Sequence, residues 1–203
     1  SIRNKKAGSF GHVAATSFFP AKPLGCYGDG GAIFTDDEDL ASTMRSIRIH
    51  GSGFNKYENV RIGLNGRLDT FQAAILLEKL EIFDEELKQR NAAADYYNDN
   101  INSDLQVQYV PKDYHSSWAQ YSLVAKSESE RFEIMSKLTE VNIPSMIYYK
   151  TPLHMQKVFK SLGYSRGDFP ISENVSSKIF SIPMHPYLKR IEQDKIVKVL
   201  NNE

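Results

Sequence analysis

Thr16-Ser17-Phe18-Phe19-Pro20-Ala21-Lys22-Pro23-Leu24-Gly25, continuing as Cys26-Tyr27-Gly28-Asp29-Gly30-Gly31-Ala32-Ile33-Phe34-Thr35, is the stretch around which the chain is organised. The apolar run from Val13 to Phe19 reads as a strand. It meets two prolines flanking one lysine, and neither proline fits a strand or helix interior, so Lys22 is expected on a stiff turn. Gly25, Gly28, Gly30 and Gly31 follow closely, which requires close backbone approach or positive φ. The chain then returns as an apolar strand, Ala32–Thr35. On its residues alone Lys22 reads in two ways. It is a surface lysine on a turn, or it is an amine aimed by a rigid loop at a carbonyl carbon. A nucleotide P-loop is excluded, because no Gly-Lys-Ser/Thr occurs and a strand follows the glycines, not a helix N-terminus.

Working outward, 203 residues suffice for one substantial core or two small ones. The 25 basic and 25 acidic residues balance, which gives no electrostatic case for nucleic acid or an anionic membrane surface. The single cysteine excludes an internal disulfide and fits a reducing, cytoplasmic setting. No apolar run approaches the roughly 20 residues of a membrane helix, and no signal peptide is visible. The first residues, Ser1-Ile2-Arg3-Asn4, carry no methionine, which suggests a piece of a longer polypeptide.

Ser1–Gly11 is polar and basic and reads as a loop or short hairpin. Asp36-Asp37-Glu38-Asp39 predicts a helix start with acids at the positive end of the dipole. Leu40, Met44 and Ile47 give that helix one buried face, and Gly51 and Gly53 stop it. Gly51–Arg67 is long, irregular and rich in Gly and Asn, as functional or disordered loops are. Asp69-Thr70-Phe71-Gln72 resembles a capping box, and Ala73, Leu76, Leu77, Leu80, Phe83 and Leu87 hold a helical period. One long helix is expected from about Thr70 to Asn98, with a domain boundary in Asn98–Ser103. This predicts domains 1–98 and 99–203. Strands are expected at Leu105–Val110 and Ser117–Ala125, a helix at Ser129–Val141 and extended chain at Ile143–Tyr149. A glycine-containing loop at Phe159–Phe169, a short helix within Ile171–Phe180 and a last helix at about Arg190–Leu200 complete the α/β reading.

The segment Ser17-Phe18-Phe19-Pro20-Ala21-Lys22-Pro23-Leu24-Gly25-Cys26-Tyr27-Gly28-Asp29-Gly30-Gly31-Ala32 strongly resembles the covalent-lysine segment of the DegT/DnrJ/EryC1/StrS family. Those proteins are pyridoxal 5'-phosphate (PLP)-dependent nucleotide-sugar aminotransferases of fold type I. Within the family the chain looks most like enzymes that aminate a UDP-linked 3-oxo sugar acid. The resemblance implies an α/β fold comprising the end of the large PLP-binding domain, with its long helix, and the small C-terminal domain. It also implies glutamate as amino donor, a homodimer with shared active sites and a role in cell-surface polysaccharide biosynthesis.

By the same resemblance, Lys22 forms the Schiff base with PLP and, once released, acts as general base. Ser17 matches a phosphate-binding serine, although its residue type alone equally suits a strand-end serine capping the turn. Gly63-Leu64-Asn65-Gly66-Arg67-Leu68-Asp69 matches the family's Gly-x-Asn-x-Arg-hydrophobic-Asp segment, which places Asn65 on the cofactor phosphate of the neighbouring subunit's site. Arg67 resembles the group that meets a substrate carboxylate, a task suited to a guanidinium fork. Its alternative is a surface ion pair near a helix N-terminus, where a cation is mildly disfavoured. Tyr148 and Tyr149 match a His-Tyr pair near the sugar, with Tyr replacing the His, and otherwise read as half-buried strand tyrosines. His154 and His185 are expected to be structural, and the five histidines show no metal-ligand spacing. Cys26 is expected to be a small buried residue.

Family members carry the acid that pairs with the pyridine nitrogen in an Asp-x-x-Gln segment upstream of the position matching Ser1. The resemblance is therefore to the C-terminal half of the fold, and the isolated fragment is expected to be inactive. Two alternatives stand beside the uronic-acid reading: an aminotransferase for another (4-keto) nucleotide sugar, and an inactive dimerisation or binding fragment. A dehydratase branch of the family has His at the lysine position, and Lys22 argues against it.

Overall fold

In the computed structural model, which describes residues 1–55 and 57–202, the first apolar run narrows to β1, Ala14–Ser17. It pairs antiparallel with β2, Gly31–Phe34, in a register that sets Ala14 opposite Phe34 and Ser17 opposite Gly31. The chain divides into two compact units. The first comprises Ser1–Glu85 and Pro111–Ser116, and the second comprises Glu86–Val110 and the residues from Ser117 onward. The division falls inside a single helix.

In the first unit, α1 runs Glu38–Arg48. Asp37 is its N-cap, with Oδ1 accepting from the Leu40 amide at 2.9 Å, and Arg45 and Arg48 stand at the negative end of the dipole. Past Ile49 the chain reverses through His50 and Gly51 at φ 57° and 74°, which ends the helix. The long amphipathic pattern forms one helix, α2, Thr70–Asn100. The expected capping box is corrected by the structure: Gln72 Oε1 accepts from the Tyr27 amide at 2.8 Å, a tertiary partner. Leu76 of α2 is buried, whereas Ile33 and Phe34 of β2 remain half exposed.

The second unit holds the larger core. β3, Tyr121–Val124, pairs antiparallel with β4, Ile179–Ile182. Tyr121 and Leu123 face inward opposite Ile182 and Phe180, and Ser122 and Ser181 share a hydrogen bond of 2.8 Å. α3, Glu128–Glu140, is capped by Ser127 Oγ on the Glu130 amide at 3.1 Å. α4, Pro170–Lys178, starts with proline in its first turn, where no N–H is needed, and α5, Arg190–Leu200, follows β4. Tyr97 and Ala94 from the C-terminal half of α2, Trp118, Leu138, Ile196 and Leu200 close the core. Trp118 stacks on Tyr121 at 5.4 Å, and Tyr97 lies 4.9 Å from Tyr121.

Further sequence expectations for local structure change: the Leu40, Met44 and Ile47 face of α1 is not buried, and Leu40 is exposed. Leu105–Val110 is not a strand: Gln106 makes a single bridge to Val124, so the alternation of Leu105 and Val107 reflects burial against the core without a ladder. Ile179 and Phe180, inside the span expected to carry a short helix, instead open β4, Ile179–Ile182, because so short a run carries no period that separates strand from helix. The expected Phe159–Phe169 loop begins inside a 3-10 helix, Lys157–Leu162, closed by Gly163 at φ 82°.

Candidate active site

The loop between β1 and β2 is fastened at several points by backbone bonds. Phe18 N–H donates to Gly30 O at 2.8 Å, and Cys26 N–H to Phe18 O at 2.8 Å. Lys22 N–H donates to Phe19 O at 2.9 Å, which closes a turn with Pro20 in its second position, where fixed φ favours it. Lys22 therefore stands exposed on a tight turn, as its flanking prolines predict. Gly25 seals the base of this turn. A Cβ there would stand 2.7 Å from Phe19 O and 2.8 Å from Pro20 O, so no side chain fits.

Ser17 ends β1 and accepts from the Phe19 amide through Oγ at 3.1 Å. That bond leaves its hydroxyl hydrogen to donate elsewhere. Cys26 is fully buried, with Sγ 3.1 Å from Phe18 O and 3.0 Å from Gly28 O, so it packs the loop from inside. Two α2 side chains hold the same loop from outside. Gln72 takes the Tyr27 amide, and Lys79 Nζ donates to Gly25 O at 2.6 Å while lying 4.6 Å from the Tyr27 ring centroid.

Asn65 and Arg67 lie in a segment laid along the C-terminal end of α1. Leu64 N–H donates to Ile47 O at 2.8 Å, His50 N–H to Leu64 O at 3.0 Å and Gly66 N–H to Arg48 O at 2.9 Å. Arg67 Nε donates to Asn65 Oδ1 at 3.0 Å, so the amide oxygen is engaged while the Nδ2 hydrogens and the rest of the guanidinium can serve an anion. The structure thus links Ser17 with Lys22 through Phe19, and Asn65 with Arg67 directly. Among the described residues, no hydrogen bond or ion pair joins these two pairs. A hollow of about 1100 Å³ in this unit is lined by Thr16, Ile33, Met44, Arg48, Leu64 and Leu68 among others, and none of the four residues lines it.

Tyr148 and Tyr149 belong to the second unit, with ring centroids 5.5 Å apart in an edge-on contact. Nearby in sequence, His154 Nε2 lies 3.1 Å from Glu173 Oε1, and its ring packs on Phe169 at 4.7 Å. Glu173 also accepts from Gly167 N–H at 2.8 Å. That amide, and then His154, hold the carboxyl below the usual glutamate range against the opposing effect of burial. His154 thus has a carboxylate partner. No group of three or more His, Cys, Asp or Glu among the described residues could hold a metal ion. The sequence offers Gln72 only as part of a capping box, and it does not single out Lys79 or the His154–Glu173 pair. The spacing of seven between Gln72 and Lys79 on one helix reads equally as an ordinary solvated face.

Chemically, the arrangement supplies an amine on a rigid turn, a hydroxyl five residues before it, and an amide–guanidinium pair on a second anchored segment. This set can capture a carbonyl carbon covalently and bind anionic oxygens. Residues 1–201 match the model of the DegT/DnrJ/EryC1/StrS aminotransferase family. The chain belongs to this family. It is 37% identical over 203 residues to the UDP-2-acetamido-2-deoxy-3-oxo-D-glucuronate aminotransferase of Pseudomonas aeruginosa, covering 100% of this chain and 55% of that protein. It is 39% identical over 198 residues to the dTDP-3-amino-3,6-dideoxy-alpha-D-galactopyranose transaminase of Aneurinibacillus thermoaerophilus, covering 97% and 53%. The crystal structure of a DegT DnrJ EryC1 StrS aminotransferase from Brucella abortus superposes with a TM-score of 0.92 at 49% identity, over 99% of this chain and 53% of that one. The architecture is therefore the family's fold type I α/β architecture. The chain spans about half the length of these relatives.

Proposed function

We propose that the polypeptide carrying this chain is a PLP-dependent aminotransferase that moves an amino group, from glutamate, to the 3-keto carbon of a UDP-linked sugar acid. The observation that carries the reading is Lys22, the one amine in the β1–β2 loop, on a turn closed by its own amide at 2.9 Å. The donor set fits the cofactor. Lys22 would hold its aldehyde carbon, and the Ser17 hydroxyl and the Asn65 amide hydrogens would hold its phosphate, Asn65 serving the site of a second subunit in a homodimer. When bound, PLP supplies an electron sink that stabilises negative charge at the carbon losing or gaining its proton.

The chain's own residues then have separable tasks. The Lys22 amine, once free, holds the proton at Nζ and returns it, with its aim fixed by Pro20 and Pro23. Arg67 binds the carboxylate of the sugar acid, and its bond to Asn65 Oδ1 fixes the plane of the guanidinium. Tyr148 and Tyr149 serve the sugar. A cytoplasmic setting agrees with the single cysteine, and no helix among the described residues is long and apolar enough to cross a membrane.

The test is made on the full polypeptide. Incubation with PLP and then borohydride should add a phosphopyridoxyl group to the Lys22 peptide, and Lys22→Ala should abolish it. A wild-type protein whose Lys22 stays unlabelled refutes the reading. Offered UDP- and dTDP-linked 3-keto sugars with and without a carboxylate, the enzyme should prefer the UDP-uronic acid. Arg67→Ala should raise KM selectively for acidic sugars, and an unchanged KM removes Arg67 from the carboxylate role.

A further inference from the structure

Lys22 hangs from a loop whose far side is tied to α2 by side-chain bonds to main chain. Gln72 Oε1 takes the Tyr27 amide at 2.8 Å, and Lys79 Nζ gives to Gly25 O at 2.6 Å. Seven residues separate the two side chains, so they project from one face of the helix about 10 Å apart along its axis. They grip the two neighbours of Cys26, whose amide bonds Phe18 O at 2.8 Å and whose side chain is fully buried. Three consecutive residues are thus fixed, two to α2 and one to Phe18 just past β1. Only Pro23 and Leu24 lie between this anchor and Lys22, and Pro20 and Pro23 restrict φ on either side of the lysine. A shift at Gly25 has little soft backbone in which to dissipate and is passed to Lys22.

We propose that Gln72 and Lys79 are positioning residues for Lys22, setting the aim of its amine by clamping Gly25 and Tyr27 to α2. The proposal rests on the covalent role assigned to Lys22 above. Neither residue reaches a reacting atom; each acts through the loop. Lys79 also covers the Tyr27 ring at 4.6 Å, so its cation holds the loop by a second contact.

The experiment uses the full polypeptide with Gln72→Leu, Lys79→Met and the conservative pair Gln72→Glu and Lys79→Arg, which retain an acceptor and a donor. Two readouts are taken. The first is amide hydrogen exchange of residues 22–28 without cofactor. The second is the initial rate at which PLP, trapped with borohydride, labels the Lys22 peptide, measured by mass spectrometry. Gln72→Leu and Lys79→Met should each speed exchange in 22–28 about tenfold and slow labelling of Lys22 about tenfold. The conservative variants should recover most of both effects, which a general loss of folding would not do. Labelling by both disruptive variants within twofold of wild type overturns the proposal, whatever the exchange shows. If wild-type Lys22 takes no label, the functional reading fails instead. Exchange then decides the clamp: faster exchange supports it and unchanged exchange overturns it.

Discussion

Replacing Gly63 by alanine tests whether the segment that presents Asn65 and Arg67 is held by steric necessity. A Cβ at Gly63 would stand 2.0 Å from Gly51 N, 2.4 Å from His50 C and 2.7 Å from Ile47 O. All three are main-chain atoms, so no rotamer change can relieve the clash, and the segment must move by more than about 1 Å to reach ordinary contact. That movement breaks the bonds from Leu64 N–H to Ile47 O and from His50 N–H to Leu64 O. Each is worth about 1 kcal/mol net, and overpacking adds about 1–3 kcal/mol. The local cost is therefore about 3–5 kcal/mol, at least roughly a hundredfold in the opening equilibrium at 1.4 kcal/mol per decade. Amide exchange of residues 47–51 and 63–66 should accelerate by about that factor in Gly63→Ala, while residues 121–124 keep their wild-type rates. Gly163→Ala is the control. There φ is 82° but nothing lies within 4 Å of the added carbon, so only the left-handed backbone penalty of about 1 kcal/mol applies. Acceleration below threefold in Gly63→Ala, or an effect no larger than that of Gly163→Ala on its own loop, would refute the argument.

Other outcomes follow from the second unit. Leu123→Ala empties a fully buried position and should cost about 2–5 kcal/mol in urea denaturation followed through the fluorescence of Trp118, the chain's one tryptophan. Burial pushes the phenols of Tyr97 and Tyr121 well above the ordinary tyrosine value of 10.0. Because the folded state raises them, their contribution to stability is whole below about pH 10 and is lost as pH rises beyond it. Alkaline absorbance titration should show these two ionising only with unfolding. Glu173 behaves in the opposite sense. Its folded value lies below the ordinary 4.5, so its contribution is whole above that pH and is lost as the pH falls through the lower folded value. Glu173→Gln should therefore flatten the acid limb of the stability profile, and an unchanged limb would show that the carboxylate contributes nothing there.

What the linear sequence determined was everything written in local stereochemistry. Two prolines and a glycine cluster placed Lys22 on a turn, because fixed φ and absent side chains act within a few residues. The 3.6-residue period found α2 from Thr70 to about Asn98, two residues short of its end at Asn100, and Asp37 and the acids beside it marked the start of α1. Family membership was legible for the same reason: the segments from Ser17 to Ala32 and from Gly63 to Asp69 are each contiguous. What only the tertiary structure decided were pairings between distant residues. Gln72 reads as a helix cap until the Tyr27 amide arrives from 45 positions away. Ile179–Ile182 carries strand-favouring side chains but is too short to declare itself, and becomes β4 because Tyr121–Val124 offers it a ladder. Conversely, Leu105–Val110 alternates like a strand yet finds one rung, since burial and pairing print the same period. The clamp on the lysine loop, and the bond that orients Arg67 against Asn65, exist only where side-chain directions converge. A sequence fixes which groups are present, and the packed chain fixes what each one meets.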